Sequence, residues 1–155
     1  IDLILRYKSG FGYIFNNDAT KLPINEKFFL GGIGSIRGYD SRSITPRKNI
    51  CNPKTSNGGI IIGCKMVETG GKISFNNSFE LSFPIINRFK MRGVIFYDYG
   101  MIGNNSINDF KRSSAGIGIE WITPIGPVQI FYAKALGYKE GDQTSNFEFT
   151  IGRRF

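Results

Sequence analysis

The chain has 155 residues, enough for one domain of ordinary size, and its apolar runs fall far short of the ~20 residues a transmembrane helix requires. Phe, Tyr and Trp make up 14% of it and Gly supplies 20 residues, while Ala and Leu are scarce, which favours strands and turns over helices. The net charge of +8 comes from scattered Lys and Arg, so nucleic-acid binding is not expected, and a basic lumen or a lipopolysaccharide-facing rim accounts for it better.

The chain starts at Ile1 without an initiator Met, a charged n-region or an apolar h-region, so it is expected to be a piece of a longer protein with any signal peptide upstream. The first predicted strand covers Ile1 to Phe15. Leu3, Leu5, Tyr7, Phe11 and Tyr13 share one face with the two end residues, and Asp2, Arg6, Lys8, Gly10 and Gly12 share the other. No helix of this length shows a period of two.

A long polar connection follows, residues 16–71, with Cys51 and Cys64 in a stretch rich in Gly, Asn, Pro and Ser. The chain has no His, so zinc would lack ligands, and neither a metal site nor a cofactor is expected. A local disulfide between Cys51 and Cys64 is the better reading and implies an oxidising compartment; two unpaired thiols are the alternative.

Five further strands are predicted. From Lys72 to Pro84, Ile73, Phe75, Phe79, Leu81 and Phe83 oppose Ser74, Asn76, Ser78, Glu80 and Ser82. From Met91 to Gly103, Ile95, Tyr97, Tyr99 and Met101 oppose Arg92, Val94, Phe96, Asp98 and Gly100. Ser113 to Thr123, Gly126 to Leu136 and Ser145 to Phe155 continue the alternation. Short turns containing Pro alternate with longer polar loops, as in an up-and-down membrane barrel. Gly, Ser, Asn and single charges on the polar face suit a wet lumen, with the large aromatics facing lipid. A soluble β-sandwich fits the alternation alone. Six strands cannot close a barrel, for which about eight are the practical minimum, so the chain must pair with upstream strands or with other copies.

The connection after the first strand contains Phe28-Phe29-Leu30-Gly31-Gly32-Ile33-Gly34-Ser35-Ile36-Arg37-Gly38-Tyr39. This resembles the sixth-loop motif of the BamA family of outer-membrane assembly factors: an aromatic residue, Gly-Gly, Ser or Thr, a branched apolar residue, Arg, Gly and an aromatic. Phe79-Glu80-Leu81-Ser82-Phe83-Pro84, Phe96-Tyr97-Asp98-Tyr99-Gly100, Ser114 through Pro127, and Phe147 through Phe155 are similar to the strands that follow, in the same order.

The resemblance implies an all-β, antiparallel, sixteen-stranded transmembrane barrel in the bacterial outer membrane. Residues 1–155 would be its last six strands, 16–71 an extracellular loop folded into the lumen, and periplasmic POTRA domains would lie upstream. It implies a non-enzymatic insertase whose partners are unfolded outer-membrane clients, outer-membrane lipids and periplasmic assembly lipoproteins. Client strands would add at a weak seam on the terminal strand, at Phe147, Phe149, Ile151, Gly152 and Phe155. A two-partner secretion pore or a TamA-type translocation module shares the motif, and the number of POTRA domains upstream would discriminate them.

Arg37 is the leading candidate residue, with Gly31, Gly32, Ser35, Gly38 and Tyr39 shaping its loop. Gly34 and Gly38 are expected to allow a sharp turn. Glu80 and Asp98 lie on the polar face of neighbouring strands, and a buried guanidinium can satisfy both. No His is present and no Ser or Cys has an evident base, so no catalytic group is expected.

Overall fold

A computed structural model describes residues 2–16, 21–56 and 59–152. Ile1 and Phe155, assigned above to the first and last strands, lie outside the described residues. Among the described residues eight strands form: β1 (Ile4–Tyr13), β2 (Arg47–Ser56), β3 (Gly59–Glu68), β4 (Ile73–Ile86), β5 (Met91–Gly103), β6 (Phe110–Thr123), β7 (Gly126–Leu136) and β8 (Phe147–Ile151). Six of them make one sheet in the order β1-β4-β5-β6-β7-β8, with every neighbouring pair antiparallel. That sheet is open, with β1 and β8 at its two edges. The fold is all-β, and among the described residues no helix is long and apolar enough to cross a membrane.

The period of two in the sequence becomes a period of two in exposure. Along β7, Gln129, Phe131, Ala133 and Ala135 are buried while Ile130, Tyr132 and Leu136 are exposed. The same parity exposes Leu5, Tyr7 and Phe11 on β1, Phe79 and Leu81 on β4, Ile95 and Tyr97 on β5, Ile117, Ile119 and Trp121 on β6, and Phe147, Phe149 and Ile151 on β8. One whole face of a curved sheet is thus apolar and uncovered, whereas a soluble sandwich would bury its large side chains between layers. A lipid-facing belt satisfies it.

Part of the opposite face is covered by the chain's own loop. Leu30, Ile36, Tyr39 and Ile44 of the loop pack against Ile102 and Ala135 of the wall, and Val94, Phe96, Phe131 and Ala133 form a second cluster with Ile33. The small residues of the inner face serve as seats. A Cβ at Gly100 would run into Ile36, and one at Gly118 into Phe131. Nor do all large aromatics face outward, since Phe96 and Phe131 are fully buried inside, ring edge to ring face at 5.6 Å.

Several boundaries shift: β1 covers Ile4–Tyr13, β6 begins at Phe110 instead of Ser113, and β8 begins at Phe147 instead of Ser145. β4 runs past Pro84 to Ile86, with a register irregularity between them, and the turn falls on Asn87–Phe89. Residues 47–68, assigned above to a plain connection, form the hairpin β2–β3, a separate two-stranded sheet with Cys51 directly opposite Cys64. The two cysteines are joined by a disulfide.

Candidate functional site

The loop motif enters the sheet's concave side through tight backbone geometry. Gly31, Gly32 and Gly38 take positive φ angles of 111°, 87° and 87°, and Gly34 lies inside the turn closed by the Ser35 N–H on the Gly32 carbonyl at 3.0 Å. Ser35 Oγ accepts the Gly31 N–H at 2.7 Å and closes the turn. At Gly38 the geometry excludes any other residue comfortably, because its φ is left-handed and an added Cβ would sit 3.2 Å from Ala133 Cβ.

This path delivers Arg37 to the wall, where it is 2% exposed. Its Nε and Nη2 donate to Asp98 Oδ2 and Oδ1, each at 2.8 Å, the two-pronged pairing suited to a planar guanidinium. The Arg37 backbone N–H adds a third bond to Asp98 Oδ2 at 3.0 Å. Nη1 lies 2.6 Å from Glu80 Oε1, an ion pair. Glu80 and Asp98 are 7% and 1% exposed, so a charge of either sign left alone here would be badly solvated. The guanidinium also lies over the Phe96 ring, 3.6 Å from its centroid, with Phe131 at 4.8 Å.

Ser78, which sequence reasoning passed over, completes the pairing. Its hydroxyl donates to Asp98 Oδ1 at 2.6 Å and accepts from Arg37 Nη2 at 2.9 Å. The signal was available, since Ser78 shares the face of Glu80 and stands opposite Asp98 in the antiparallel register. Arg6 extends the network, with Nε 3.2 Å from Glu80 Oε2 and Nη2 2.9 Å from Glu120 Oε2. Gln129 Nε2 donates to the other oxygen of Glu120 at 2.8 Å. Charges on β1, β4, β5 and β6 therefore meet the loop in one connected set.

A second anchor lies nearer the loop ends of the strands. Tyr39 shares its hydroxyl between the carbonyls of Ser113 and Leu136, each at 3.2 Å. Burial, with the nearby Asp142 charge reinforcing it and Arg112 opposing it, pushes the Tyr39 phenol up to about 12, so it remains a neutral donor. Asp142, in the loop between β7 and β8, accepts from Arg112 Nε at 2.6 Å and Nη2 at 3.1 Å. Arg47 Nη2 approaches Asp142 from the hairpin at 3.4 Å. No spacing in the sequence marks these partners, which come from three separate elements.

Of the seam residues, Phe147, Phe149 and Ile151 point outward on β8, and Gly152 follows the strand with its N–H bonded to the Pro127 carbonyl at 2.8 Å. Glu148, also unforeseen, points inward and accepts the Gly38 N–H at 2.8 Å, tying the loop motif directly to the terminal strand.

An antiparallel sheet with an apolar outer belt, filled by a loop that one buried arginine pins to the inner wall, defines a membrane β-barrel segment with an internal plug. The whole chain, residues 1–155, matches the Omp85 superfamily domain, and the chain belongs to that superfamily. It is 30% identical to the outer membrane protein assembly factor BamA of Nitratidesulfovibrio vulgaris over 98% of its own length, and 28% identical to the BamA of Neisseria meningitidis serogroup B over 88%. The fold is similar to the crystal structure of BamA from Haemophilus ducreyi lacking POTRA domains 1-3, at a TM-score of 0.75 and 26% identity over 96% of this chain. The chain spans only 18% and 20% of the two curated relatives, and 31% of the crystallised one. It is a partial barrel of the outer membrane.

Proposed function

We propose that this chain is the closing part of an insertase barrel that folds and inserts other β-barrel proteins into the outer membrane, without catalysis. The last six of sixteen strands would lie here, and the loop of residues 16–71 would act from inside the lumen. The observation that carries the reading is the terminal strand: five residues long, at a sheet edge, apolar on its lipid face, and with one backbone edge unpaired among the described residues. Such an edge can take on an incoming strand by backbone hydrogen bonding, with the outward Phe147, Phe149 and Ile151 favouring an alternating apolar partner. The names of the relatives, assembly factors in two bacteria, support insertion of client proteins over secretion through a pore. Clients would be unfolded outer-membrane proteins, and periplasmic lipoproteins and outer-membrane lipids would be the other partners.

The Arg37 cluster has a mechanical part in this reading. It holds the loop against β4 and β5 so that the wall keeps its shape while the seam opens. No bond is made or broken there.

The test is reconstitution of the full-length protein, with its upstream domains, into lipid vesicles. Urea-unfolded outer-membrane barrel protein is diluted onto them, and folding is followed by heat-modifiable migration and protease resistance. Faster client folding than on protein-free vesicles is expected. Equal rates with and without the protein, in vesicles where its own barrel is folded, would overturn the insertase reading.

A further inference from the structure

We propose that Lys111 and Lys134 form a docking site on the lipid-facing wall for the phosphate of an outer-leaflet lipid, whose acyl chains then lie along β6 and β7. The inference goes beyond the insertase reading and does not depend on it, since it needs only a barrel of the outer membrane.

The outward side chains of β1, β4, β5 and β8 are uncharged among the described residues. The outward charges of the six-stranded wall are Lys111 on β6 and Lys134 on β7, both exposed. Lys111 precedes the buried Arg112, and Lys134 stands between the buried Ala133 and Ala135, so both side chains leave the wall on the side of the apolar belt. Both also lie at the loop end of the sheet, Lys111 as the second residue of β6 and Lys134 as the third from the end of β7. The other end carries the short turns after β4 and β6, so the lysines belong to the extracellular end.

β6 and β7 are hydrogen-bonded neighbours, with Ser113 opposite Leu136 and Ala115 opposite Lys134. Lys111 is four residues along β6 from that Ala115, roughly 14 Å at ~3.4 Å per residue. Two extended lysine side chains span most of this distance, so a phosphate between them can meet both ammonium groups. Ser113 and Tyr99, opposite each other on the row between the two lysines, place hydroxyls at the same level.

Neither ammonium has a protein partner among the described residues. The adjacent Arg112 is the contrast: it turns inward and gives Nε and Nη2 to Asp142. A cation on the lipid face of a barrel is costly at mid-depth and cheap only near the interface, where a long side chain can carry its charge to the headgroups. Below the lysines the same face continues with Ile117, Ile119 and Trp121 on β6 and with Tyr132 and Ile130 on β7, all exposed. A ligand that matches this surface has a compact anion at its outer end and hydrocarbon beneath it. A phosphate-bearing lipid has both, whereas an acidic protein segment would match the lysines and leave the apolar strip uncovered.

The experiment uses the full-length protein in micelles of an uncharged detergent. The probe is lipid A, the phosphorylated anchor of lipopolysaccharide, with a photoreactive group in one acyl chain, added below saturation. Adducts over residues 113–134 are quantified by peptide mass spectrometry. Strong labelling is expected in the unaltered protein, and a yield lower by roughly tenfold or more when Lys111→Gln and Lys134→Gln are combined, the order expected for losing two cations beside an anionic lipid. Lys111→Arg with Lys134→Arg should keep the yield, and the same lipid stripped of its phosphates should label the unaltered protein only to the level of the double Gln variant. Equal labelling of the unaltered protein and the double Gln variant would overturn the site. So would equal labelling by the phosphate-free lipid, which would leave apolar contact alone as the attraction. Loss of labelling in millimolar inorganic phosphate would assign the lysines to a free anion and overturn the lipid as occupant. Heat-modifiable migration shows whether each variant is folded, and if the double Gln variant is not, the two lipids compared on the unaltered protein decide.

Discussion

Around Arg37 the protein has gathered three carboxylates and two guanidiniums, with Arg37, Glu80 and Asp98 buried, Arg6 partly exposed, and Glu80 shared by Arg6 and Arg37. Removing one partner of a buried pair costs roughly 3–5 kcal/mol, because the other charge stays buried and uncompensated. Arg37→Ala leaves Asp98 with the Ser78 hydroxyl as its remaining side-chain donor, so a loss near that range is expected, read as a lower midpoint of heat-modifiable migration. Adding Asp98→Asn to Arg37→Ala should recover part of the loss, since the stranded charge carries much of it. Arg37→Lys should recover less than half, because an ammonium cannot grip both Asp98 oxygens and cover Phe96 together. Asp142 supplies the second prediction at this scale. Burial alone would raise its pKa, but hydrogen bonds from Arg112 and the Lys139 N–H, with the charges of Arg112 and Arg47, hold it below the ordinary carboxylate range. A carboxyl depressed in the folded state stabilises fully above its unfolded pKa, and this stabilisation is lost as pH falls through the folded value. Asp142→Asn should therefore cost roughly 1.5–3 kcal/mol at neutral pH, the range for hydrogen bonds to charged groups. The gap between variant and parent should close as pH drops below the carboxylate range, and thermal melts at stepped pH would show a constant gap if the cluster contributes nothing.

The strands differ in how openly the sequence announces them, and packing explains why. β5 and β7 have the limits their alternation predicts, β5 paired on both sides along its length and β7 along its whole length by β6 and over Val128–Tyr132 by β8. The inward parity of Glu80 and Asp98 is legible for the same reason, and so is the meeting of both with an arginine that glycines steer inward. β2 and β3 were not legible. Their residues include Asn49, Asn52, Pro53 and Gly63, which read as loop, and the hairpin's described side chains are nearly all exposed, so no buried face among them imposes alternation. Tertiary pairing and the Cys51–Cys64 bond hold it instead. Phe96 and Phe131 were visible as aromatics on a polar face, yet only the buried guanidinium between loop and wall gives them a reason to be there. Since the hairpin is its own small sheet, reduction should affect it alone. Closing a loop of 13 residues contributes about 3 kcal/mol in the chain-entropy account. Under reducing conditions trypsin should cut within residues 47–68 much faster, while the six-stranded sheet keeps its protease-resistant band. Loss of that band on reduction would mean that the disulfide supports the barrel wall itself.

The whole molecule is a sheet with two unfinished sides. β1 and β8 each present a row of backbone donors and acceptors, and in lipid every unpaired group of this kind is costly because no water reaches it. The loop relieves this only just ahead of β8, at Gln143 and Ser145, through Gly38 and Asp40, and among the described residues the one strand that pairs with β1 is β4. The outer belt adds a second constraint, since Leu5, Tyr7 and Phe11 at one edge and Phe147, Phe149 and Ile151 at the other are exposed and require a continuous apolar surround. Both demands are met when further strands from the rest of the chain complete the barrel. A 155-residue piece expressed alone has to meet them with copies of itself. It should therefore associate edge to edge in detergent, β1 of one copy beside β8 of another, and sediment as dimers or larger species. Cysteines introduced at Leu5 and Phe149 should cross-link between copies in those species and stay unlinked once the upstream strands are restored. A stable monomer in which the amides of both edge strands resist hydrogen exchange would contradict this, because those amides would have found partners that the open sheet does not supply.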